Sequence, residues 1–153
     1  MAERVCHAGL RAARGLVPGT AVRVIDSDPA NVECRLGGGG VDLDVVAQRS
    51  PLAWTQFDTL VSHAAQAFGP GTVHRASMLP RDLAGLGYNA AWIPERRQLV
   101  ATNGTQLAGG SLLTVTVTHA DRGARPVVAV AEAVATATLA VAPRGPAPGP
   151  PPS

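Results

Sequence analysis

Apolar residues recur at steps of three and four between residues 3 and 16, at Val5, Ala8, Ala12 and Leu16. That spacing predicts a first helix, with Gly15 and Pro18-Gly19 as its stop signals. The period then changes. Residues 20–25 and 32–36 are β-rich runs separated by Asp26-Ser27-Asp28-Pro29-Ala30-Asn31, a composition suited to a turn, and they read as a hairpin. After the glycines at 37–40, Val41, Leu43 and Val45 alternate with Asp42, Asp44 and Val46, as a half-buried strand does.

Ser50-Pro51 offers an N-cap before a proline at the first helical position. Trp54, Phe57, Val61, Ala64, Ala65 and Phe68 follow at helical spacing, and the helix should stop at Gly69-Pro70-Gly71. Residues 69–87, punctuated by Pro80, Gly85 and Gly87, read as a long connection with at most one short strand. Residues 88–93, 98–102 and 112–118 are three more strands, with turns at 94–97 and 103–110. In the last strand Leu113, Val115 and Val117 face one way and Thr114, Thr116 and Thr118 the other. Pro126 opens a final helix running to about Leu139, apolar on nearly all sides, which fits burial within the domain or against a second copy. The order α-β-β-β-α-β-β-β-α lacks the regular strand-helix alternation that builds a parallel sheet. The expectation is an α+β, two-layer fold with a mainly antiparallel sheet and helices packed on one face. One domain should span residues 1–141, with a disordered Pro-rich tail over 142–153.

Composition narrows the partners. The chain has 153 residues, enough for one core. Its 46% hydrophobic content is mostly Ala, Val and Leu, and Trp54, Phe57, Phe68, Tyr88 and Trp92 are the only aromatics. All 13 basic residues are Arg, which reads as the mark of a GC-rich genome. A net charge of +2, spread along the chain with only Arg96 and Arg97 adjacent, gives no footprint for nucleic acid. Residues 127–142 are too short and too rich in Ala to read as a transmembrane span, for which about 20 strongly apolar residues are expected. Residues 1–14 carry four charges (Glu3, Arg4, Arg11 and Arg14) and no apolar run of the signal-peptide type. The protein is therefore cytoplasmic if Met1 is the true start, or else the chain begins downstream of that start.

Candidate chemistry is sparse. Cys6, early in the first helix, and Cys34, in a strand expected beneath it, are either two separate buried thiols or one bond stapling helix to sheet. Cys6 and His7 are helical neighbours that point about 100° apart, so they do not form a nucleophile and base. The four histidines lack the i, i+4 spacing of metal ligands, and no metal or cofactor is expected. The segment from Asp26 imitates the start of a calcium loop, but Asn31 stands where Gly is needed and Gly37 where a bidentate Glu is needed. Asp42 and Asp44 share a strand face and read as its water-facing side instead of a catalytic pair. The glycines at 37–40 lack a following Lys-Ser/Thr and read as a hairpin loop. Asn103-Gly104-Thr105 matches a glycosylation sequon but reads as the favoured two-residue turn. Tyr88 and Trp92 share strand parity and could line a small apolar ligand pocket, against the simpler reading of core filling.

Cys6, Cys34, the Trp54/Phe57 helix, Leu86-Gly87 with Ala90-Ala91-Trp92, Gln98-Leu99, Ala101-Thr102-Asn103-Gly104-Thr105 and the strand from Leu113 to Val117 together resemble a family of actinobacterial secreted proteins and lipoproteins whose domains have no assigned function. The resemblance covers most of residues 5–139. It implies an extracytoplasmic domain in which Cys6 and Cys34 are bonded. It implies no activity, and related-looking domains on sensor proteins favour binding or sensing. The chain departs from the pattern in showing neither a signal peptide nor a lipobox before Cys6, so a lipid anchor is expected only if the true start lies upstream. The leading expectation is a non-enzymatic extracytoplasmic module that binds a ligand or envelope protein through one sheet face or the 69–87 loop. The alternatives are a cytoplasmic interaction subunit, or a hydrolase or transferase whose groups, such as Asp82, His74 and His119, converge only in space.

Overall fold

The computed structural model describes residues 2–28, 30–66, 79–105, 108–123 and 126–144. Among these residues three α-helices, α1 (Ala2–Leu16), α2 (Ala53–Gln66) and α3 (Val127–Val141), accompany seven strands. The strands are β1 (Ala21–Ser27), β2 (Asn31–Gly37), β3 (Val41–Ser50), β4 (Arg81–Asp82), β5 (Asn89–Ile93), β6 (Gln98–Thr102) and β7 (Gly110–Ala120). The expected α+β class and element order hold, and the two-residue β4 is the short strand allowed within the connection. Residues 67–78, most of the remaining connection, lie outside the described residues.

All neighbouring strands are antiparallel, in the order β1-β2-β3-β7-β6-β5-β4. The chain builds one meander outward-in from β1 to β3, crosses over through α2, and builds a second from the far edge back to β7. β3 and β7 then close the sheet along Val41↔Ala120 to Ser50↔Gly110.

Strand alternation divides the core. Val32, Cys34, Leu36, Val41, Leu43, Val45, Leu99, Leu113, Val115 and Val117 point to one face, where they are buried with Val5, Leu10 and Ala13 of α1 and Val130, Val134 and Leu139 of α3. Ala91, Ile93, Val100 and Leu112 have the opposite parity and are buried with Ala53, Phe57 and Ala64 of α2. Helix packing on one face thus describes α1 and α3, while α2 lies on the other face, mainly over β5, β6 and β7 and touching β3. The two aromatic anchors divide likewise, Trp92 with the first cluster and Phe57 with the second. Small residues let the helices approach. A Cβ on Gly9 of α1 would stand 3.1 Å from Thr138 Cγ2 of α3.

Local signals explain the turns. Ser50 Oγ accepts from Leu52 N (3.0 Å), so it caps the turn leading into α2, which begins two residues after the proline. The β2–β3 hairpin needs Gly38 and Gly40 at φ values of 100° and 98°. Between them a Cβ on Gly39 would meet Pro18 O at 2.8 Å, so the glycine loop is packed against the α1–β1 turn. The domain also runs past the expected boundary at residue 141. Ala142 is buried, and Pro143 O accepts from Asn103 Nδ2 (3.3 Å) and Ser111 Oγ (2.8 Å). Of the expected tail over 142–153, residues 145–153 lie outside the described residues.

Cys6 and Cys34 form a disulfide with a Cα–Cα distance of 5.9 Å, both residues almost fully buried between α1 and β2. It closes a loop of 28 residues, and constraint of the unfolded chain stabilises the fold by about 2–4 kcal/mol. The double substitution Cys6→Ala/Cys34→Ala is expected to lower unfolding free energy by about that amount, read as a lower urea midpoint together with a steeper slope, because the unfolded chain released from the cross-link exposes more surface.

Candidate functional site

Because α2 lies mainly over the β5–β7 side, the outward face of β1, β2, most of β3 and the end of β7 is open among the described residues. Residues alternate there with the buried ones already named. Cys34 and Leu36 face α1, so Arg35 between them faces out, as do Asp42 and Asp44 between Val41, Leu43 and Val45. The register lines up a polar row across five strands. Arg23 lies opposite Arg35, Arg35 opposite Asp44, Asp44 opposite Thr116, and Thr116 opposite Gln98. Gln98 Nε2 donates to Thr116 Oγ1 (2.9 Å), closing the row toward β6.

A recess of about 590 Å3 sits on this face, lined by Arg23, Arg35, Asp42, Asp44, Thr118 and the backbone around Gly37 and Gly38, with no residue of α2. That volume falls in the range of small-molecule sites. Its polar groups are incompletely matched. Arg23 and Arg35 are like charges directly opposed on neighbouring strands, an arrangement that disfavours the pairing. Arg35 and Asp44 are also directly opposed, yet no ion pair joins them among the described residues. The Asp44 Oδ1 atom is buried and has no hydrogen-bond partner there. Asp42 is better placed, its Oδ1 accepting from Gly38 N (3.2 Å). Such a surface can take up a charged small molecule and supplies both signs of charge to hold it.

The remaining sequence candidates occupy other places. Trp92 is 6% exposed within the α1/α3 core, whereas Tyr88 is 66% exposed and lies before β5 begins. The two rings therefore do not share an environment. Tyr88 lines a different recess of about 260 Å3 with Gly87, Asn103 and Arg144. Gly87, at φ 61°, turns the chain just ahead of Tyr88, so counting parity through residue 88 does not place its ring. Asp82 sits exposed on β4 at the sheet edge, and His119 lies near the end of β7, two strands beyond β4's neighbour. His119 Nε2 meets Asp121 Oδ1 at 2.7 Å, with both side chains more than half exposed. His74 lies outside the described residues. No group of three or more potential metal ligands forms among the described residues.

Asn103 is neither an Asn-Gly hairpin turn nor an open sequon. A two-residue type I′ turn needs positive φ at both residues, and Gly104 is not among the glycines with positive φ. Instead the Asn103 side chain is buried, with Oδ1 accepting from Ser111 N (2.7 Å) and Nδ2 donating to Pro143 O. It ties the β6–β7 connection to the segment after α3. Asp26 and Ser27 extend β1 and Asn31 opens β2, and between the strands Asp28 Oδ1 accepts from Ala30 N (2.7 Å) and Asn31 N (2.8 Å).

Compared with known proteins, the chain matches no family model, no curated protein and no solved structure. The site is therefore argued from its own geometry. A second concavity of about 340 Å3 lies beside α2, lined by Gln48, Leu52, Thr55, Gln56, Leu60 and Leu112, with Leu52 60% exposed. It is shallower in charge and richer in apolar carbon than the first. No helix among the described residues is long and apolar enough to cross a membrane.

Two measurements follow. Arg23→Glu converts the opposed Arg23–Arg35 pair to an attractive one. It is expected to stabilise the fold by about 0.2–1 kcal/mol, an increment that shrinks in high salt and is readable by urea denaturation at two ionic strengths. The Asp28 carboxyl is held below its ordinary value by the Ala30 N–H and then the Asn31 side chain, which with the Asn31 N–H outweigh the opposing effect of desolvation. A depressed folded-state value means the stabilisation is present above the unfolded carboxylate value and is lost as pH falls through the folded one. Asp28→Ala is therefore expected to flatten the acid side of the stability profile below about pH 4 while leaving its neutral region parallel to wild type.

Proposed function

We propose that this chain is an extracytoplasmic binding domain, acting without covalent chemistry, whose ligand face is the open half of the sheet. The observation carrying the compartment is the Cys6–Cys34 disulfide, sealed in the core between α1 and β2. Disulfides persist in oxidising compartments and are rare in the cytosol of mesophiles. The half-covered sheet supports the binding role. One face is buried under α1 and α3, which makes a rigid support, and the opposite face of the same strands carries the recess with Arg23, Arg35, Asp42 and Asp44. Sites built on strands hold their groups more firmly than sites built on loops. The resemblance to secreted and lipid-anchored actinobacterial domains points the same way, and on that reading the domain reaches the envelope through a leader or anchor upstream of Met1.

A second reading, an interaction subunit, is favoured by the groove beside α2 with its exposed Leu52, together with Leu60 and Leu112. The two readings differ in compartment. Intact mass of the protein from its native host, after thiol blocking and with or without reductant, reports both the mature N-terminus and the state of the two cysteines. The expected result is an unblocked, oxidised Cys6–Cys34 pair on a chain recovered from the envelope or culture fluid. Blocked thiols on a cytosolic chain would sink the extracytoplasmic assignment.

A further inference from the structure

The charges of the open recess form an ordered line, and the order carries information about what fits it. Across β1, β2 and β3 the outward residues read Arg23, Arg35, Asp44, each directly opposite the next. Two cations side by side are unfavourable alone, and an anionic group placed between them removes that repulsion while accepting hydrogen bonds from two guanidinium forks. At the other end of the line the Asp44 carboxylate accepts no hydrogen bond among the described residues; its Oδ1 is closed off from solvent, and its Oδ2, which is not buried, is the atom an ammonium group can reach. Arg35 does not fill that role despite lying opposite, since no ion pair forms between them among the described residues. Neighbouring strands stand about 4.8 Å apart, so the midpoint of the two arginines lies roughly 7 Å from Asp44 along the sheet. Two residues of extended peptide span about 7 Å. The recess volume of about 590 Å3 leaves space for such a molecule and for side chains on it.

We propose that the recess binds a dipeptide-sized zwitterion, with its carboxylate between Arg23 and Arg35 and its ammonium group on Asp44. Thr118 and the Gly38 N–H flank the site, and the Asp42 carboxylate adds negative charge at the margin nearer Gly38. The disulfide and the α1/α3 layer lie behind these strands and hold the arginines and Asp44 in register. The proposal rests on the binding-domain reading given above and specifies its ligand class.

The test is a titration of isotope-labelled protein, verified as oxidised and folded, near neutral pH and followed by backbone amide shifts. The probes are glycylglycine, N-acetylglycylglycine, glycylglycinamide and inorganic phosphate. Glycylglycine is expected to shift the amides of residues 21–23, 35–38 and 42–44. The acetylated probe, which lacks the ammonium group, and the amide, which lacks the carboxylate, are each expected to bind at least about fivefold more weakly. Arg35→Ala should abolish the response to glycylglycine, and Asp44→Asn should bring glycylglycine to the level of its acetylated form. Both side chains lie on the outward face, and the thermal midpoint of each variant checks that the fold is retained. Equal binding of either blocked probe, stronger binding of phosphate, shifts located elsewhere, or no shifts would overturn the proposal. A negative titration on oxidised protein would leave the compartment reading intact, because mass and location test that separately.

Discussion

The antiparallel ladder between β3 and β7 is the pairing on which the molecule depends. It joins strands more than sixty residues apart in sequence at their centres and runs nearly the whole length of both. Without it the chain would hold two separate meanders, each with a raw edge and each too small to bury a core on its own. With it the alternation of β3 and that of β7 come into phase. Leu43, Val45 and Ala47 then lie beside Val117, Val115 and Leu113 on a single apolar surface broad enough for both α1 and α3. The β-bulge between Asp42 and Leu43 falls at the end of this ladder, where β3 bends toward the glycine hairpin.

The same phase sets what the opposite surface becomes. The β5–β7 side presents Ala91, Ile93, Val100 and Leu112, and α2 closes over them with Phe57. The β1–β3 side presents arginine, aspartate and threonine, and no helix among the described residues covers its recess. The division follows from residue type, since burying unpaired guanidinium and carboxylate groups under a helix would cost more than the apolar area gained. A site thus arises where the sheet stops being able to hold a second layer. The core that supports it is made mostly of Val, Ala and Leu, so its stability comes from close approach and many contacts, aided by the disulfide, with Trp92 and Phe57 the buried aromatics among the described residues.

Much of the fold was legible because its signals are local. The alternation of Leu113, Val115 and Val117 with threonines identifies a half-buried strand without any knowledge of its neighbours, and Ser50-Pro51 announces the start of α2. What could not be read is whatever depends on long-range register. The opposition of Arg23 to Arg35 and of Arg35 to Asp44 exists only once β1, β2 and β3 are paired, and a slip of one residue would put these groups on the other side. The helix division was hidden for the same reason, because Ala91, Ile93 and Val100 read as ordinary strand residues until their partners are known. Asn103 shows a different failure. Its dipeptide with Gly104 has a strong local preference, which tertiary hydrogen bonds to Ser111 and Pro143 override. Tyr88 was placed by parity in a strand that starts one residue later.

The scarcity of aromatic residues has a practical consequence for watching this domain at work. Its two tryptophans lie on opposite sides of the sheet, Trp92 in the layer beneath α1 and α3, and Trp54 on α2, where its indole N–H reaches the Asn89 side-chain oxygen (3.0 Å) when that amide is suitably oriented. Each side therefore carries its own fluorophore. Emission from a protein retaining Trp92 alone reports the layer locked by the disulfide, and emission from one retaining Trp54 alone reports the layer held by α2, so loosening of either can be seen as a separate optical event.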